Sequence, residues 1–313
     1  MSRLRQFTGF GLLLASVIVL AAQASLAQAA SATYPRRIVS LAPSVTETLF
    51  ALGFGNRLVG VTIHCDYPAE ARKISKIGAF MSPSLEVIVA RRPDLVIGVR
   101  GATDPAKARE MERLGLHVTL ISLASVSDIL SSIKSVARLL GNPQAGEELV
   151  RKIARQFEEV KKRLAGAPRR ATLLVVGLQP LVAVGGKNYI DELITLAGGE
   201  NIAGNAAQPW LNLPHEYVVA KAPQVIIEAG MGSERNESAK HWADLKSIPA
   251  VKKRRVYAYP SDKILRPGPR IGEGLEEIAR LVHPECFAEA KRRVPRGTKR
   301  RVPRGSGCED SRP

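Results

Sequence analysis

Two segments carry the residue types and spacings of hydrolytic or phosphate-handling sites, and neither is complete. His215-Glu216 opens like a metalloprotease helix, where a second histidine four residues after the first completes a zinc site; that position is Val219. Gly185-Gly186-Lys187 has the glycines and lysine of a phosphate-cradling loop but lacks the upstream glycine and the following Ser or Thr. No Gly-x-Ser-x-Gly elbow occurs. The histidines, His64, His117, His215, His241 and His283, are scattered, and none forms a close pair with another ligand type. Cys65, Cys286 and Cys308 are odd in number and have no metal-type spacing. Ser44-x-x-Glu47 reads as a capping box, which gives Glu47 a structural role. These segments make no convincing catalytic constellation: no catalytic residue, resident metal or cofactor is expected, and a secreted enzyme on an α/β fold stays as the weaker alternative.

What does recur is a constellation. The stretch Ser84–Ile97, shifted by 130 residues, places Glu86 on Glu216, Val89 on Val219, Ala90 on Ala220 and Pro93 on Pro223. It also places Leu95-Val96-Ile97 on Val225-Ile226-Ile227, and an aromatic residue, Phe80 or Trp210, precedes each glutamate by six residues. Each copy reads as a loop bearing a ring, a short helix with glutamate in its first turn, then a buried strand. The helix dipole favours an acid at that position. Two similar lobes follow, each presenting a loop aromatic and an acidic helix start.

The elements that must position these residues alternate. Strands are expected at Arg37–Leu41, Leu58–Thr62, Leu95–Val99 and His117–Ile121, and helices at Thr46–Leu52, Leu85–Arg91, Pro105–Leu114 and Asp128–Leu140. Such alternation implies βαβ units and a mostly parallel sheet. Next, Ala145, Leu149, Ile153, Phe157, Val160 and Leu164 fall at spacings of three and four, the apolar stripe of one helix. Asn142 caps it, Pro143 suits its first position, and Gly166 and Pro168 stop it. At about 22 residues it is a rod of about 33 Å. Strands then resume at Ala171–Val176, Leu181–Val184, Val225–Glu228 and Arg255–Tyr259, with helices at Ile190–Ala197, Glu216–Lys221, Ala239–Lys246 and Ile271–Val282. The fold class is α/β: two Rossmann-like lobes, residues 36–141 and 168–287, joined by one long rigid helix over 142–167.

The termini carry an address and a charge. Residues 1–29 read as a signal peptide: Arg3 and Arg5, an apolar run Phe10–Ala22, and Ala27-Gln28-Ala29 as cleavage site. That run is too short for a membrane span, which needs about 20 residues, so a soluble, exported protein of the periplasm is expected. Lys and Arg exceed Asp and Glu by 46 to 29, giving +17 over 313 residues. The basic tail, residues 288–313, contains a tandem octad, Lys291–Thr298 and Lys299–Ser306, whose Pro and Gly content cannot build a core. From Lys291 onward nine basic and two acidic residues give +7, which leaves the body only mildly basic, so the charge is no argument for a nucleic-acid partner.

Several segments resemble the helical-backbone class of periplasmic substrate-binding proteins, which serve ABC importers of vitamin B12, haem and iron–siderophores. They are Arg37–Glu47, Asp66-Tyr67-Pro68, Ser84-Leu85-Glu86, Pro93–Ile97, Gly198–Ile202 and Gly268-Pro269-Arg270. Within that family, His64–Pro68, Phe80, Trp210 and Ser261-Asp262 with Arg266 are most similar to the B12-binding branch. The resemblance implies a monomeric carrier and ligand contacts at His64, Phe80, Trp210, Asp262 and Arg266. It implies docking of Glu86 and Glu216 on a permease dimer. The cargo it implies is cobalamin, with haem or a ferric siderophore as alternatives. His64 stands where that branch has tyrosine, Phe80 where it has tryptophan, and the branch carries a further aromatic near the position of Ile264.

Overall fold

A computed structural model describes residues 34–230 and 241–288. The expected signal peptide and the octad tail lie outside the described residues. The first lobe runs β1 (Ile38–Ser40), α1 (Pro43–Ala51), β2 (Leu58–Val61), α2 (Leu85–Ala90), β3 (Leu95–Val99), α3 (Pro105–Arg113), β4 (Val118–Ile121) and α4 (Val126–Leu139). Its strands form an all-parallel sheet in the order β2-β1-β3-β4. Strands β1 and β3 are buried along their whole length. A parallel sheet covered by helices on both faces requires such unbroken apolar runs.

The rod is α5 (Pro143–Arg163), 21 residues long. As expected, Asn142 Oδ1 accepts a hydrogen bond from the Ala145 N–H at 3.1 Å and Pro143 occupies the first turn. Ile153 and Val160 of its stripe are buried, and Ala145, Leu149, Phe157 and Leu164 pack against the same core.

The second lobe follows with β5 (Arg170–Leu178), β6 (Leu181–Val184), α6 (Tyr189–Leu196), β7 (Gly199–Asn201), β8 (Trp210–Asn212), α7 (His215–Lys221) and β9 (Val225–Glu228). It closes with α8 (Pro249–Lys252), β10 (Val256–Ala258), α9 (Asp262–Leu265), α10 (Ile271–Val282) and α11 (Pro284–Phe287). The sheet order is β10-β9-β5-β6-β8, with β7 beside β5. Strands β10, β9 and β5 are parallel, whereas β6 and β8 run antiparallel, so this sheet is mixed.

The internal repeat is visible in space. β9 sits between β5 and β10 as β3 sits between β1 and β4. At the end of the preceding helices, Arg92 and Ala222 both take left-handed φ, 46° and 45°, and they are equivalent under the shift of 130 residues. Ile88 and Val218 face the core of each copy while Val89 and Val219 face solvent.

Three differences from the sequence reading have physical causes. Trp210, expected in a loop, opens β8, whose three residues are too few to show a period. The helix expected over Ala239–Lys246 falls partly outside the described residues and gives way to a turn after Trp242. Third, the rod does not join the lobes alone: α10 lies along α5, and one continuous apolar cluster runs from Leu49 through Ile153 to Ile278. Glu192 of α6 also accepts a hydrogen bond from the first-turn Val126 N–H of α4 at 3.0 Å. The lobes are fused through a shared helical layer. Ile153→Ala opens a cavity in that layer and is expected to lower unfolding free energy by about 2–5 kcal/mol, read from urea denaturation; a loss below 1 kcal/mol would show that the layer is not packed as described.

Candidate ligand-binding cleft

Between the lobes lies a cavity of about 600 Å³. The first lobe supplies Ala42, Pro43, Ser44, Ile63, His64, Asp66, Phe80, Met81, Val99 and Leu123, and the second supplies Leu265, Arg266 and Pro267. A second cavity of about 320 Å³ is lined by Ala229, Gly230, Ser261, Asp262 and Arg266. Asp66, Leu265 and Arg266 line both, so the Asp66–Arg266 ion pair stands on the boundary the two cavities share. The loops after β1, β2, β3 and β4 bring their residues to the larger cavity from the carboxyl ends of the strands, the end at which open α/β sheets take ligands.

This ion pair belongs to a five-charge cluster across the lobes. Arg266 Nη1 donates to Asp66 Oδ1 at 2.6 Å and to Glu47 Oε1 at 3.2 Å, while Arg266 Nη2 is 3.1 Å from Asp262 Oδ2. Arg270 grips Glu47 with two hydrogen bonds, Nε to Oε2 and Nη2 to Oε1, both 2.7 Å. Its guanidinium lies 4.0 Å from the centre of the Tyr67 ring. Gly268, between the two arginines, lies against α1, where an added Cβ would come within 3.3 Å of the Ser44 carbonyl oxygen. Burial alone would push the Asp66 carboxyl up, but the hydrogen bond and charge of Arg266 outweigh it and hold it below the usual Asp range. Burial would likewise push both guanidinium pKa values down, and their carboxylate partners raise them instead.

Glu47 corrects the capping-box reading. The helix begins one turn earlier than expected, with Ala42 as its cap and Pro43 in the first turn, so neither Ser44 nor Glu47 caps it. Glu47 is 2% exposed and neutralised by the two arginines from the opposite lobe. Two of the segments that carry the family resemblance, Thr46-Glu47 and Gly268-Pro269-Arg270, are thus the two halves of one contact.

Of the sequence-expected ligand residues, His64, Phe80 and Arg266 meet at the larger cavity, and Asp262 and Arg266 at the smaller. Trp210, at 42% exposure, lines neither of these and stands at the start of the sheet-edge strand β8. Glu86 and Glu216 are exposed in the first turns of α2 and α7. Asp66 and Met81 join the cavity wall without a signature in the local sequence: Asp66 lies inside the family-like segment His64–Pro68, but its partner Arg266 is 200 residues away. The histidines are less scattered than their spacing suggests: His215 Nε2 lies 3.0 Å from His241 Nε2, and His283 Nδ1 lies 3.1 Å from Glu285 Oε1. Desolvation, then the neighbouring His215, push the His241 pKa down. His283 is buried, with Nε2 against the Gly198 carbonyl, and Arg170 holds Glu285 at 2.8 Å, so this group is a structural clasp. Cys65 and Cys286 are free.

Residues 38–263 match the family described as periplasmic binding protein, and the chain belongs to that family. A vitamin B12-binding protein of Salmonella paratyphi A is 31% identical over 235 residues, 75% of this chain and 85% of the relative. Among solved structures, the periplasmic haem-binding protein of Roseiflexus sp. RS-1 superposes with a TM-score of 0.72 at 27% identity, covering 80% of this chain and 99% of that one. A periplasmic vitamin B12 binding protein of Vibrio cholerae gives 0.72 at 23% identity, covering 82% and 99%, a likeness of fold. Among the described residues no helix is long and apolar enough to cross a membrane.

Glu47→Ala strands the Arg270 guanidinium and removes one of the three carboxylates around Arg266. It is expected to cost about 3–5 kcal/mol, the range for breaking a buried pair, and chemical denaturation measures it. Because Asp66 has a depressed folded-state pKa, its contribution is full above the usual Asp range and is lost as pH falls through the lower folded value. Asp66→Asn should therefore flatten the acid side of the stability profile, measured as urea midpoint against pH; an unchanged slope would contradict the pairing.

Proposed function

We propose that this protein is exported to the periplasm, where it captures a corrinoid, a vitamin B12-like macrocycle, between its lobes and hands it to the permease dimer of an ABC importer. The observation that carries the reading is the inter-lobe cavity, whose wall is largely apolar, with Phe80, Met81 and Leu265, and whose polar groups converge at Asp66 and Arg266. A broad apolar face with a few fixed polar groups suits a large rigid ligand. The cluster of Glu47, Asp66 and Asp262 against Arg266 and Arg270 sums to one negative charge. The carboxylates that line the cavities, Asp66 and Asp262, can accept hydrogen bonds from neutral amides, and the net charge opposes anionic side groups, which favours an amide-rimmed corrin over a porphyrin bearing carboxylates. In this reading His64, Phe80, Asp262 and Arg266 contact the cargo, and Trp210 offers an exposed ring from the second lobe.

Haem is the second reading, and one observation favours it: His64 lines the cavity, and an imidazole there is a ligand for a metal centre. Calorimetric titration with cyanocobalamin, haem and a ferric siderophore separates the cargoes. Cyanocobalamin should bind most tightly, and Phe80→Ala and Trp210→Ala should each weaken it by about 1–3 kcal/mol. Haem binding with no heat from cyanocobalamin would replace the corrinoid.

Delivery rests on the two acidic helix starts. Glu86 and Glu216 occupy equivalent positions in the repeat, and one turn further on Val89 and Val219 are 39% and 37% exposed. Two matched corners on a two-lobed protein fit a two-fold partner. Charge reversal of both, Glu86→Lys with Glu216→Lys, should leave ligand affinity unchanged and abolish uptake in cells; normal uptake would remove the docking role.

A further inference from the structure

The C-terminal corner holds a pair of imidazoles that the cleft does not use. His215 opens α7 and is exposed; His241 comes from the segment after β9 and is half-buried, yet their Nε2 atoms are 3.0 Å apart. His241 is held from behind. Its ring meets Trp242 edge-on, with centroids 4.8 Å apart, and Trp242 is buried with its Nε1–H donating to Glu228 Oε1. The planes of the two imidazoles are inclined by 39°.

That separation has a chemical meaning. Two imidazole nitrogens each about 2.0–2.1 Å from one ion and about 90° apart around it lie about 2.9 Å from each other. The two rings share one N–H···N hydrogen bond at 3.0 Å. That spacing equals the separation of adjacent ligands in square or octahedral geometry, closer than tetrahedral ligation demands, so an ion can take the place of the shared proton with little movement of either ring. Imidazole nitrogens with such geometry suit copper(II) and nickel(II).

We propose that His215 and His241 form a bidentate site for a divalent transition-metal ion, with water completing the coordination sphere. The site is built on one lobe only: under the repeat, the counterpart of His215 is Leu85. The bound ion lies next to Glu216 and sets positive charge beside one of the two acidic corners, so the pseudo-symmetry of those corners ends at this pair.

The test uses the full chain purified without a polyhistidine tag, stripped with chelator and titrated with Ni²⁺ and, separately, Cu²⁺ by calorimetry. One equivalent should bind with micromolar affinity and raise the thermal midpoint, as any ligand of the folded state does. His215→Gln, at an exposed position, should keep the fold and weaken binding at least tenfold, and His241→Gln should do the same. His283→Gln, in the separate clasp with Glu285, should leave this affinity unchanged. No heat from the unaltered protein, or full affinity in His215→Gln, would overturn the proposal. The readout is metal binding alone, so it stands or falls independently of the cargo.

Discussion

The architecture turns on one contact, the grip of Arg270 and Arg266 on Glu47. A carboxylate this deeply buried is unfavourable unless it is fully paired. Its partners come from the opposite lobe, so the relative position of the lobes is constrained wherever Glu47 is charged and satisfied. The two hydrogen bonds from Arg270 define an orientation as well as a distance. Gly268 lets the arginine-bearing segment lie against the start of α1 without a side chain between them. From this clamp, Arg266 reaches on to Asp66 and Asp262, and the same cluster that braces the lobes becomes the polar edge of the cleft.

The clamp works together with a stiff apolar layer. Helices α4, α5, α6 and α10 bury their apolar faces in one cluster shared by both lobes. A hinge made of loop segments would let the lobes swing widely; a helix packed along most of its length resists that. The cleft is accordingly formed before any ligand arrives, and recognition depends on the shape and charge of its walls. The aliphatic and aromatic side chains supply area, while Asp66 and Arg266 supply direction.

Much of this was legible in local pattern. The capped rod, the strand runs and the 130-residue repeat depend on residues close in sequence. The expected strands lie within two residues of their places, and the rod starts where its cap puts it but ends at Arg163, four residues before the expected 167. Phe80, His64 and Arg266 could be nominated because they fall in recognisable segments. Glu47 could not, because its partners are 219 and 223 residues away and the nearby Ser44 offered a sufficient local explanation. The His215–His241 pair was hidden for the same reason: the residues are 26 apart and meet only after β9 carries the chain back. Short β8 lacked the length for a period, so Trp210 read as loop.

The most direct trial of the cleft account is a crystal structure of the protein grown with cyanocobalamin. The account predicts the corrin lying between the lobes against Phe80, its amides meeting Asp66 or Asp262, and Glu47 still held by Arg270. A corrin bound outside the cleft, with the wall around Phe80 and the Asp66–Arg266 pair untouched, would contradict it.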